Sequence, residues 1–67
     1  MSIKRFIQGN WSQIRRRLSV KYKQLSERDL DYSDGYEDEL LRRLQVKLHM
    51  GHSELMNELK NIITEAN

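Results

Sequence analysis

Sixty-seven residues, twelve of them Lys or Arg and ten Asp or Glu, give a formal net charge of +2 with neither Cys nor Pro. A chain this short makes one domain over 1–67, buries only about 60% of its unfolded surface and leaves no room for a deep substrate cleft. The absence of Cys rules out disulfides and thiolate metal sites. Apolar runs of at most two residues argue against a transmembrane helix or signal-peptide core, so the expectation is a soluble, cytoplasmic protein.

The net charge conceals a strong asymmetry. Residues 1–25 hold seven basic side chains and no acidic one, whereas residues 26–39 hold seven acidic and one basic. Blocks so separated can attract each other as readily as they attract a partner.

Leu, Glu, Lys, Arg and Gln dominate the chain, which favours helix. Trp11, Ile14, Leu18, Tyr22 and Leu25 are spaced by 3, 4, 4 and 3, the pattern of one helical face. Asn10 followed by Gln13 has the form of a capping box. Ile3, Phe6 and Ile7 keep the same phase upstream, so this first helix starts either near Ser2 or near Asn10. In "LSERDL", Ser26 is a good N-cap with Asp29 three residues on, and Leu25 and Leu30 stand where a hydrophobic staple would close. The spacing predicts that one helix ends and a short second one begins there. The charge reversal then suits the two helix dipoles, with Lys21 and Lys23 at a C-terminus and Glu27 and Asp29 at an N-terminus.

Gly35 breaks the pattern and is suited to positive φ. Tyr36, Leu40, Leu44 and Leu48, widened by Leu41, predict a third helix, with Glu37, Asp38 and Glu39 early and Arg42, Arg43 and Lys47 late. Gly51 is expected to stop it and Ser53 to cap the next. Leu55, Met56, Leu59, Ile62, Ile63 and Ala66 form the stripe of a fourth helix. The expected fold class is all-α: a compact four-helix domain of two helical hairpins packed roughly orthogonally. Its expected core is Trp11, Ile14, Leu18, Leu25, Leu30, Leu40, Leu44, Leu48, Leu55, Leu59 and Ile62.

The order "GNWSQI", a Leu-Ser-x-x-Asp-Leu joint, Gly35, "EDELLRRLQ" and a later glycine resembles the CsbD-like family of small bacterial general-stress proteins. The resemblance runs from about Gly9 to Ile63 and rests on Trp11, Leu25, Ser26, Asp29, Leu30, Gly35, Leu40, Leu44 and Gln45. Tyr22 stands where a second Trp is common, and Arg42 where a Gly is. The resemblance implies an all-helical domain of two orthogonal hairpins, induced under stress, and no catalytic residue or cofactor.

Residue chemistry points the same way. Asp29, Asp31 and Asp34 lack the twelve-residue loop and closing Glu of a calcium hand. His49 and His52 are separated by Gly51 and lack a third ligand at metal spacing. No nucleophile–base order or phosphate-binding glycine loop stands out. Arg15, Arg16, Arg17, Lys21 and Lys23, with Lys4 and Arg5, could contact phosphates, but Trp11 and Tyr22 lie on the apolar stripe rather than on a base-stacking face. A membrane-surface role for the same helix would compete with folding, because its stripe is needed for the core. The expectation is a monomeric, non-enzymatic stress protein of this type, acting by binding or protection, with no catalytic, metal or cofactor residue. The alternative is a weak, sequence-nonspecific nucleic-acid binder using the Arg15–Lys23 surface.

Overall fold

In a computed structural model that describes residues 2–64, the chain forms three α-helices and one 3-10 turn, with no strand among the described residues. Helix α1 spans Ile3–Lys21, the 3-10 turn Arg28–Leu30, α2 Glu37–Leu48 and α3 His52–Thr64. Ala66 of the last stripe lies outside the described residues.

Helix α1 starts at the earlier of its two candidate positions. Ser2, in an extended conformation, precedes the first turn, and the Phe6 N–H donates to its carbonyl at 3.0 Å. Asn10 is therefore no cap; its side-chain amide donates one turn back to the Phe6 carbonyl at 2.9 Å. With a rise of about 1.5 Å per residue, the nineteen residues of α1 run the 28 Å length of the molecule.

The second expected helix shrinks to a single 3-10 turn, so the four-helix expectation is not met as stated. The local capping is nevertheless present. The Ser26 N–H donates to Asp29 Oδ2 at 3.0 Å, and the Asp29 N–H donates to Ser26 Oγ at 3.3 Å. This is the reciprocal pair of a capping box, flanked by buried Leu25 and Leu30. What fails is propagation. Asp, Tyr, Ser and Gly follow Leu30, all poorer helix formers than Leu or Glu, and one turn does not offset the cost of nucleation. Asp31 turns extended (φ −66, ψ 132), and Gly35 takes φ +98.

Gly51 does not stop α2. His49 adopts the left-handed conformation (φ 56, ψ 44), with its N–H donating to Val46 and the Met50 N–H donating to Gln45 at 3.0 Å. These two bonds make a Schellman motif with histidine where glycine is usual. Nor is Tyr36 part of the buried stripe: it sits just outside α2 and is 61% exposed.

The core takes Ile7, Ile14 and Leu18 from α1, Leu25 and Leu30 from the joint, and the leucine stripes of α2 and α3 with Ile62. Ile7 and Leu41 join the expected set, while Trp11 is only half-buried at its edge. Helix α3 packs against both other helices, and the 3-10 turn packs on α2. The Arg43 guanidinium fixes that last contact, donating to the carbonyls of Asp29 at 3.1 Å and Asp31 at 2.9 Å. It thereby satisfies acceptors that a longer helix would have used internally.

Candidate functional site

An open groove of about 700 Å³ lies between α1 and the segment that follows it. Trp11, Arg15 and Arg16 line it from α1; Glu27, Asp31 and Tyr32 line it from the joint; Leu25 and Leu30 supply its apolar part. Trp11 and Tyr32 meet edge to face, ring centroids 5.4 Å apart at 62°. That geometry suits two ring quadrupoles and holds the joint against α1.

The structure divides the basic block. Arg15 and Arg16 are exposed beside the groove, while Arg17 is half-buried. The Arg17 Nε is buried without a hydrogen-bond partner among the described residues. With Arg16, Lys21 and Ile62, Arg17 lines a second depression of about 390 Å³, so Arg16 borders both. Lys21 is engaged, 2.8 Å from the Glu58 carboxylate of α3 and 5.7 Å from the Tyr22 ring centre. Lys23 lies exposed beyond the helix end. Of the five candidate residues, Arg15 lines the groove, Arg17 and Lys21 line the second depression, and Arg16 joins the two.

The acidic block does not neutralise the basic one. Asp29 pairs with Lys47 of α2 at 3.7 Å, and Glu39 with Arg43 at 3.3 Å. Lys4 reaches the acidic block at Asp38, 3.4 Å away and with both side chains exposed. The charge reversal thus serves local capping and α2 contacts, and Arg15, Arg16 and Arg17 have no carboxylate partner among the described residues.

Sequence reasoning missed the most deeply buried charged group. Glu37, 3% exposed, receives hydrogen bonds from the Tyr32 hydroxyl, the Gly35 N–H at 2.8 Å and the Gln8 amide at 3.2 Å. The Tyr32 hydroxyl and then the Gly35 N–H hold its carboxyl down to about 2, against the opposing effect of burial. Burial, and then Glu37 itself, push the Tyr32 phenol well above its ordinary value. A carboxylate this weakly basic beside a phenol this weakly acidic is poorly suited to proton transfer near neutrality; the pair suits a structural lock. Its one sequence signal is a glycine two residues before a glutamate that opens a helix, which reads equally well as a dipole-favoured acid.

A second lock joins α1 to α3. Glu58 accepts from the Tyr22 hydroxyl and pairs with Lys21. Burial raises its carboxyl, but those two partners outweigh burial and leave it below its ordinary value. His49 and His52 are exposed on either side of the α2–α3 turn. Among the described residues no three His, Cys, Asp or Glu side chains come together as metal ligands would. No described helix is long and apolar enough to cross a membrane. No protein-family model, curated protein or solved structure matches the chain.

Proposed function

We propose that this chain is a small, non-enzymatic bacterial stress-response protein of the CsbD-like type, acting in the cytoplasm by binding or protecting other molecules. In this reading α2 and α3 form a helical hairpin that packs across α1, with the 3-10 turn held on α2. The observation that carries the reading is where the resemblance residues lie. Trp11 braces Tyr32; Ser26 and Asp29 cap the turn between Leu25 and Leu30; Gly35 takes the positive φ; Leu40 and Leu44 are buried beneath. The shared pattern is thus a pattern of folding positions rather than of reactive groups, which supports the likeness of fold and leaves the role resting on the resemblance. A tagged chain recovered from stressed bacterial cells, with and without nuclease, tests it. Protein partners that persist through nuclease treatment support the reading, and copurification of a turned-over substrate with its product overturns it.

A second reading, weak nucleic-acid binding through Arg15, Arg16, Arg17, Lys21 and Lys23, is favoured by the first three having no carboxylate partner among the described residues. Such binding would weaken with salt, with a log–log slope of about 0.9 per neutralised phosphate on duplex DNA. Changing Arg15, Arg16 and Arg17 to Gln should flatten that slope while preserving α1, because Gln and Arg have similar helix propensity. Glu27 and Asp31 across the groove oppose a polyanion there, so the first reading ranks above it.

A further inference from the structure

We propose that the groove between α1 and the joint is a self-association surface. In it a second copy of the chain packs about a two-fold axis, with the Arg15–Arg16 lip of each copy against the Glu27–Asp31 lip of the other.

Charges of opposite sign face one groove without meeting. Arg15 and Arg16 line one side, Glu27 and Asp31 the other, and none of the four side chains has an ion-pair partner among the described residues. An occupant of a single sign would be drawn to one lip and repelled by the other. The fitting occupant carries both signs, in the reverse order across the groove. A two-fold interface supplies that arrangement from the surface itself, because residue i of one copy then meets residue j of the other, and j meets i. Complementary lips of this kind fix register and orientation.

The shape agrees with the charge. Ser12 and Ser19, exposed and short, flank the two arginines along α1 and line the same groove, so a second α1 can approach its backbone closely. Between the lips, half-buried Trp11 and Tyr32 offer aromatic surface next to arginine, the side-chain types most enriched among strong interface contacts.

Sedimentation velocity of the full chain over a concentration series tests the proposal. The expected result is a monomer–dimer equilibrium that weakens as salt is raised. Arg15→Glu with Arg16→Glu, and separately Glu27→Lys with Asp31→Lys, should each weaken association by at least about tenfold through like-charge contacts. Mixed one to one, the two variants should associate again as a heterodimer, an outcome that misfolding of either cannot produce. The neutral pair Arg15→Gln with Arg16→Gln, which spares α1, should fall between wild type and the reversals. A wild type that stays monomeric at every concentration, reversals without effect, or a mixture that stays monomeric would each overturn the proposal. A monomeric wild type that binds a single-stranded oligonucleotide, and loses that binding in the Arg15→Gln, Arg16→Gln pair, would overturn it and give the groove to a polyanion.

Discussion

The Tyr32 hydroxyl donates to the buried carboxylate of Glu37, and through that acid the joint between the 3-10 turn and α2 is tied to α1. The same oxygen takes the Gln8 amide and the Gly35 N–H, so three parts of the chain converge on one acceptor. A buried carboxylate so surrounded is stabilised as the anion.

Acid should therefore unfold this protein progressively. Glu37 is held at about 2 against an ordinary 4.5, chiefly by the Tyr32 hydroxyl. Asp29 is lowered chiefly by the Ser26 N–H, and Glu58 is lowered by Lys21 and Tyr22 despite burial. A depressed carboxyl contributes stability that is complete above its unfolded value and is lost as pH falls through the folded one. The urea midpoint should be flat above that range and fall from pH 4.5 towards about 2. Glu37→Gln should lower the midpoint near neutrality and make its acid-side slope shallower. An unchanged slope would remove Glu37 from this role.

Ser26→Ala should cost about 0.5–2 kcal/mol, because the Asp29 N–H loses its acceptor and the cap opens. The 3-10 turn is only three residues long, so the loss is concentrated there. Amide exchange should quicken at Asp29 and Leu30 before it does in α2.

Trp11 should behave as an edge residue. Half-buried and in contact with Tyr32, its replacement by Ala should cost about 1–3 kcal/mol. Leu44→Ala, at a fully buried position, should cost about 2–5 kcal/mol. Iodide should partly quench the native Trp11 fluorescence, more than for an enclosed indole and less than in urea. Tyr32→Phe should keep the ring contact and lose the bond to Glu37, so it should blunt the acid-side slope without shifting the emission.

His49→Gly should stabilise the fold by up to about 1 kcal/mol, since glycine accepts the left-handed conformation without the Cβ clash. His49 is exposed and donates only its backbone N–H to the turn, so little else is lost. Thermal melting would detect the gain, and a loss would mean that the imidazole contributes to the turn.

Periodicity alone was enough to read the three long helices, the leucine stripes and the Ser26–Asp29 cap. Each of these rests on interactions within three or four residues along the chain, which is the range over which spacing carries information. The packed arrangement decided the rest. Whether α1 began at Ser2 or Asn10 depended on Ile7 reaching the core, where it is fully buried. The carbonyls left open where the turn at Arg28–Leu30 ends are taken by Arg43, fifteen residues away from its start. Glu37 became the most buried charged side chain among the described residues because Gln8, Tyr32 and Gly35 surround it, and Lys21 was drawn to Glu58 by where α3 lies against α1. These contacts join residues far apart in the chain, and a helical pattern records which face is apolar without recording what will meet it.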